Sequence, residues 1–512
     1  MAAELSVRAA DGTALWTNVF KGAANSDDGA NSLAVDGSGN VYVTGFSTNS
    51  GSGYDFATIK YSSSGVPLWT NLFNGAGNGN DFASSLAVDG SGNVYVTGYS
   101  TGSGNNYDYA TIKYSSAGVP LWTNLFNGVG SGNDYVTSLV LDGSGNVYVT
   151  GQSSGSGSGF DYATIKYSSA GVPVWTNLYN SSGNYNDFAL SLAVDVSGNV
   201  YVTGDSYNSA NADYATIKYS SAGVPLWTNR FDGVLRGNDI AYSLAVDGSG
   251  NVYVTGRSTG SGIGGIRFDY ATIKYSSAGV PLWTNLYNGA GNSDDEAHSL
   301  AVDGSGDVYV TGYSIGNGSG YDYATIKYSS AGVPLWTNIY NGAGNTNDYS
   351  QSLKMDSSGN VYVTGYSTGS GNNYDYATIK YSSAGVPLWT NLFNGAGNTN
   401  DYAWALTVDG SGNVYVTGQS TGIGSGYDFV TIKYSGQVVS VTNLMASGWG
   451  LANQQFHFTL TGPAGSNAVI AASTNLLNWT PLVTNPLTLG SLSFTDAVST
   501  NFPRRFYRAT LQ

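Results

Sequence analysis

The pentapeptide Val-Tyr-Val-Thr-Gly begins at Val41, Val94, Val147, Val200, Val252, Val308, Val361 and Val414, with spacings of 53, 53, 53, 52, 56, 53 and 53 residues. Self-similarity at that period means one supersecondary unit used eight times, each unit burying its apolar face on the next. Every unit carries four strand-like runs, for example LWTNLF, SLAVD, NVYVTG and YATIKYS, separated by Gly, Asn and Ser turns. No 3.6-residue periodicity runs through them, so the strands are expected to be antiparallel neighbours. Four strands per unit, eight times over, fits an all-β, eight-bladed propeller.

Composition agrees with a packed β protein. Gly accounts for 72 of 512 residues and charged residues for only 10%, against a usual charged share of about 25%. Apolar content of 41% is enough to bury a core. A formal charge of -15 with 18 basic residues and no basic cluster excludes nucleic-acid and anionic-membrane partners as expectations. No apolar run is long enough to span a bilayer as a helix, so no membrane insertion is expected. The chain has no cysteine, which removes disulfides, thiolate nucleophiles and cysteine-bound metals together.

The units resemble the bacterial propeller repeat named SBBP through LAVDGSGNVYVTG, over roughly residues 14–436. The segment YSSAGVPLW also resembles the tryptophan-docking stretch of eight-bladed pyrroloquinoline-quinone-type propellers. These resemblances imply that DGSGN turns the first strand into the second. They also imply that Trp16, Trp69, Trp122, Trp175, Trp227, Trp283, Trp336 and Trp389 pack between neighbouring blades. In blade eight SGQVVSV replaces SSAGVPLW, so its outer strand is missing, and ALWTNVF near the N-terminus is expected to supply it. Val438–Leu444 is the rival for that place.

Residues 437–512 read as a separate module. QFHFTL, AVIAAS and FYRATL alternate with short turns, as in a small β-sandwich. ASTNLLNW with RRFYRA resembles a C-terminal module common on secreted bacterial repeat proteins, which implies a secreted or cell-surface protein. No signal peptide is visible at MAAELSVRAADG.

Three aspartates recur in every unit, for example Asp81, Asp89 and Asp108, together with one lysine, Lys113. Residues needed eight times over are expected to be scaffolding, as turn bonds or internal ion pairs. A ring of carboxylates holding Ca²⁺ is the alternative, but DGSGN lacks the alternating ligands of a calcium loop. No metal and no cofactor are expected.

Two positions drift where the rest repeats. Three residues after the first repeated Asp come Asn31, Ser84, Thr137, Leu190, Tyr242, His298, Gln351 and Trp404; directly after Val-Thr-Gly come Phe46, Tyr99, Gln152, Asp205, Arg257, Tyr313, Tyr366 and Gln419. Antiparallel geometry puts both sets at one end of the sheet, opposite the repeated DGSGN and SSAGVP turns. Varied side chains on a repeated framework are where binding is expected. The candidate ligand-binding residues are Asp205, Tyr242, Arg257, His298, Tyr313, Gln351, Trp404 and Gln419. Neutral drift at exposed positions is the plain alternative.

Enzymatic motifs are scarce. His298 and His457 fall in different modules, Glu4 and Glu296 are the only glutamates, and no nucleophile elbow or phosphate loop is present. The one catalytic arrangement available is a carboxylate pair from Asp205 and Glu296, as glycoside hydrolysis needs. A quinone-dependent dehydrogenase is a further alternative that rests on the docking motif alone. The expected function is a non-catalytic recognition or adhesion scaffold for a glycan or extended peptide, acting as a monomer; a structural repeat protein without a small ligand is the rival.

Overall fold

The alternation within each unit decides how its strands pack. In the second unit Val94, Val96, Ala110 and Ile112 point to one side and join Tyr42 of the preceding unit, while Tyr95 and Tyr109 point to the other side and join Val136, Val147 and Val149 of the following one. A strand buried on both faces must be apolar on both, which is why VYV and YATI read as continuous runs. The outer strand Pro120–Phe126 is exposed or half-buried along its length. It packs one face only.

The computed structural model describes residues 5–511 except 10, 50, 52, 158, 263–264, 317, 319, 370, 425, 437–438, 453–454, 462–466, 476–478, 488–490 and 500–504. Eight four-stranded antiparallel sheets follow one another in sequence order. The second is typical, with Asp81–Val88 innermost, then Val94–Thr101, Tyr107–Tyr114 and Pro120–Phe126. Its DGSGN turn is tied by Asp89: Oδ1 accepts the Ser91 and Asn93 amides at 2.9 Å, and Oδ2 accepts Asn93 Nδ2 at 2.8 Å and the Tyr95 hydroxyl at 3.2 Å. These bonds to the charged form override burial and hold the Asp89 carboxyl below its ordinary value.

The eighth sheet is built from Asp401–Val408, Val414–Thr421 and Tyr427–Tyr434, and its outer strand is the N-terminal Ala14–Phe20. That strand docks on the first blade with Trp16 Nε1 donating to Ser63 O at 3.2 Å and Asn18 Nδ2 to Gly65 O at 2.8 Å. The ring therefore closes by interlocking its two ends, and the third strand of blade eight, Tyr427–Tyr434, is not left as an open edge. The rival closing segment goes elsewhere: Val439–Ala452 pairs with Leu5–Ala9, and Val438 lies outside the described residues.

The chain divides into two compact units, Ala14–Lys433 and a second made of Met1–Thr13 with Tyr434–Gln512. The second unit contains a four-stranded sheet, with Leu5–Ala9, Val439–Ala452, Gln455–Thr461 and Ser491–Asp496 in that order, and a three-stranded sheet of Thr480–Pro486, Asn467–Ser473 and Phe506–Leu511. Phe458 and Leu460 from the first sheet and Ala468, Ile470 and Ala509 from the second share one apolar cluster. The recruitment of Leu5–Ala9 was not legible in the sequence.

Candidate functional site

The repeated segment SSAGVPLW is a lock between blades. Gly118 has φ +82°, and a Cβ there would lie 2.8 Å from the Trp69 ring of the preceding blade. Trp69 Nε1 donates to Ser116 O at 3.2 Å, and Asn71 Nδ2 donates to Gly118 O at 2.7 Å. The indole also packs between Tyr42 and Tyr114, with ring centroids 6.2 Å away in both cases. The same Trp-to-Ser bond recurs from Trp122, Trp175, Trp227, Trp283 and Trp336, while Trp389 packs on Tyr362. Only glycine fits over the indole in that backbone conformation, so glycine and tryptophan must repeat together.

At the other end of the inner strand the register changes. Ala83 pairs with Gly98 and Ser85 with Thr97, which leaves Ser84 as the extra residue of a β-bulge. The same shift falls at Asn31, Thr137, Leu190, Tyr242, His298, Gln351 and Trp404. All eight variable inner-strand residues are bulge residues. A bulge releases its side chain from the alternation of the strand and re-aims it. The released side chain is thereby free to vary, as Ser84, Trp404 and His298 show, while Ala83 and Leu86 stay in the seam core.

The second variable set lies alongside. Tyr99 pairs with Phe82, Arg257 with Ile240, Tyr313 with Glu296 and Gln419 with Tyr402. Both sets therefore sit at one end of every sheet, away from DGSGN.

Five of the candidate residues form one network with Glu296 at its centre. Arg257 Nη1 lies 2.5 Å from Glu296 Oε1, and the Tyr242 hydroxyl donates to Glu296 Oε2 at 3.3 Å. His298 stacks on Tyr242 at 5.2 Å and 27°, touches Tyr313 at 5.2 Å, and meets Gln351 Oε1 through Nδ1 at 3.2 Å. The Arg257 guanidinium lies 4.1 Å above the Phe268 ring. Burial would raise the Glu296 carboxyl, but hydrogen bonding to His298 and the Arg257 charge override it and bring the group down to about 2. Arg257 Nε is buried and has no hydrogen-bond partner among the described residues, while His298 Nε2 faces Glu296 Oε2 at 3.8 Å.

The remaining three residues are placed differently. Trp404 stacks on Tyr402 at 5.8 Å and 16° and meets Tyr366 edge-on at 5.6 Å, so it lies one ring beyond the network. Gln419 lies over Gly29 of the first blade, where an added Cβ would come 2.8 Å from its Oε1. Asp205 is only 3% exposed, and burial pushes its carboxyl up to about 7 against the opposing pull of Arg257. It lies beneath the face and is not presented on it.

The aromatic continuity of this end was missed in the sequence. Tyr54, Tyr107, Tyr321 and Tyr374 open the third strands and join the variable rings in two unbroken arcs. One runs from Phe46 through Phe82, Tyr99, Tyr135, Phe160 and Phe188 to Tyr207; the other runs from Tyr242 through His298, Tyr313, Tyr349, Tyr366 and Tyr402 to Tyr427. The first arc ends at Tyr207 of blade four and the second begins at Tyr242 of blade five, and Asp205 and Arg257 stand beside both rings. The signal that could have found the arcs is the aromatic residue next to the repeated Asp in YD and DY.

Comparison with known proteins bears on the fold. Residues 68–107, 121–157, 233–264 and 282–318 match the model of the SBBP beta-propeller repeat. An uncharacterized WD repeat-containing protein of Acanthamoeba polyphaga mimivirus is 24% identical over 422 residues, covering 65% of this chain and 29% of the relative. The chain thus spans less than a third of that relative's length. Among solved structures, the beta-propeller domain of the Trilobed protease from Pyrococcus furiosus overlays with a TM-score of 0.40 at 8% identity, covering 70% of this chain and 99% of that one. The polysaccharide lyase Uly1 overlays with a TM-score of 0.41 at 11% identity, covering 85% and 100%. Nothing about activity follows from overlays this loose. The matched repeats and the eight consecutive four-stranded sheets lead to one conclusion: this chain is a β-propeller repeat protein that carries SBBP repeats.

Proposed function

We propose that the chain is a non-catalytic recognition or adhesion scaffold of the cell exterior, which takes a glycan or an extended peptide on the face built from the bulge residues. The observation that carries this reading is the network around Glu296. Its buried donor Arg257 Nε has no hydrogen-bond partner among the described residues, and it lies in the same network as the rings of Tyr242 and Tyr313, which flank His298. A buried donor without a partner is costly in a finished protein, about 1–3 kcal/mol, and a ligand oxygen that reached it would satisfy it. Rings in such a network suit a sugar face or a peptide side chain. The test is a combined glycan and peptide array probed with the intact chain. A saturable hit that Tyr242→Ala weakens supports the reading; no hit on either array, or a hit indifferent to Tyr242, overturns it.

A glycosidase reading has one observation in its favour. The carboxyls of Asp205, at about 7, and Glu296, at about 2, are pushed apart as an acid and a base would be. The placement opposes it, since Asp205 is buried and Glu296 is engaged by Arg257 and Tyr242. Release of nitrophenol from aryl glycosides, abolished by Glu296→Gln, would favour this reading; no release by the parent protein removes it.

A further inference from the structure

The aspartates that repeat in every blade do not all do the same work. The third-strand aspartate of one blade and the first-strand aspartate of the next meet across the seam. The approach is measured between blades four and five, where one carboxylate oxygen each of Asp213, Asp239 and the adjoining Asp232 lie within 4.8 Å of one another. Asp213 is 5% and Asp239 0% exposed, so their mutual repulsion is poorly screened by water.

In that seam the chain supplies the opposing charge itself. Arg230 stands where other outer strands carry an exposed aliphatic residue such as Leu72 or Leu286. It places Nη2 2.7 Å from Asp213 Oδ2 and donates through Nη1 to Ser206 Oγ at 2.5 Å. A second solution appears at the closing seam, where Lys21 occupies the position of Asp232 and lies 3.2 Å from Asp428 Oδ2. Two different positions in the repeat have thus placed a cation on the same carboxylate.

The seams Asp55–Asp81 and Asp269–Asp295 have neither device. At the positions of Arg230 and Lys21 they carry Leu72 with Asn74, and Leu286 with Asn288. Asp55 is 1% and Asp269 7% exposed, and in each the Oδ1 atom is buried with no hydrogen-bond partner among the described residues. Across the seams, Asp81 feels the charge of Asp55, and Asp269 that of Asp295. Asp81 and Asp295 accept a backbone amide on each oxygen and Asp55 Oδ2 accepts Asn49 Nδ2, so the oxygens left over are Oδ1 of Asp55 and of Asp269, carboxylate donors that suit a hard divalent cation and not zinc.

We propose that Ca²⁺ binds between Asp55 and Asp81 and between Asp269 and Asp295, standing at these seams where Arg230 and Lys21 stand at two others. The aspartates are then more than the turn scaffolding expected from the sequence. Calcium would link adjacent blades from both sides, at the end of the sheets that carries the variable face.

The test uses the full chain stripped with chelator and titrated with CaCl₂, with MgCl₂ and NaCl as parallel arms. Bound metal is read by equilibrium dialysis and stability by thermal melting. Saturable Ca²⁺ uptake is expected, with a melting temperature that climbs with free Ca²⁺ by mass action. Asp269→Asn should take up one Ca²⁺ fewer and, in chelator, melt no lower than the parent. Arg230→Leu frees the three carboxylates of its seam and should take up one Ca²⁺ more. Absence of Ca²⁺ uptake at millimolar concentration, equal uptake of Na⁺, or an unchanged stoichiometry in Asp269→Asn would each overturn the proposal.

Discussion

The two ends of the inner strand make opposite use of the same backbone. At the DGSGN end, Asp89 accepts four hydrogen bonds from its own turn, and its counterparts Asp36, Asp142 and Asp247 repeat the pattern. At the bulge end, partners change from blade to blade. Asn31 and Thr137 reach across to a backbone carbonyl of the next blade, Tyr242 reaches a carboxylate, and Trp404 reaches only other rings. A turn whose polar groups are satisfied locally can be copied eight times without regard to its neighbours. A bulge side chain can differ in each blade, because its partners, on the next blade for Asn31 and Tyr242 and partly on its own blade for Thr137 and Trp404, are no part of the repeated turn.

This contrast can be broken first at the closing strand. Removing residues 14–20 takes away Trp16 and leaves Tyr427–Tyr434 as an open edge, so aggregation or a collapse of the melting temperature is expected. A soluble protein that melts like the parent would show that the ring does not need its first strand.

A single lock should cost less. Trp122→Ala removes an indole that packs between Tyr95 and Tyr167 and bonds to Ser169 O. The expected loss is about 3 kcal/mol, the low end for a tryptophan because the ring is half-buried. Urea unfolding of the variant measures it, and a loss below about 1 kcal/mol would place the strength of the seam elsewhere.

Acidity should separate the two kinds of aspartate. Burial and neighbouring carboxylates push Asp269 and Asp295 up to about 6, and Asp375 moves to the same value, so in metal-free protein the fold favours their protonated forms. Their contribution is complete below the ordinary value of 3.8 and is lost as pH rises through 6. The turn aspartates Asp36, Asp89 and Asp142 are held below 3.8, so their contribution is lost when pH falls below that value. In chelator the melting temperature should therefore be higher at about pH 5 than at about pH 8. A maximum above pH 7 would contradict the seam reading.

The smallest stability effects belong to the face. Trp404→Ala should shift stability by no more than about 0.5 kcal/mol, since its neighbours are other half-buried rings. Arg257→Ala is not equivalent, because it leaves Glu296 buried without its cation. The pair Arg257→Ala with Glu296→Gln is the cleaner probe. Binding to a ligand found on the arrays should fall at least tenfold for one of these variants, which takes about 1.4 kcal/mol.

Much of the framework was legible because its causes are local. The spacing of Val-Tyr-Val-Thr-Gly, the docking tryptophans and the missing outer strand of blade eight can all be read from runs of fewer than ten residues. The bulge was not legible: the shift between Ala83 and Ser85 leaves no mark in the residues themselves, and it appears only once the partner strand is paired. Nor could sequence place Glu296 between Arg257 and Tyr242, which lie 39 and 54 positions away.

By itself, then, the sequence determined the repeat, the period of its strands and the identity of the end that varies, because hydrophobic alternation and turn chemistry act within one unit. Tertiary structure alone decided that Asp205 is buried, that Leu5–Ala9 leaves the propeller strand for the other unit, and that aspartates 26 residues apart meet across a seam. Those outcomes depend on which blade lies next to which. No single repeat contains that information; contacts between neighbouring blades and pairing between distant segments of the chain supply it.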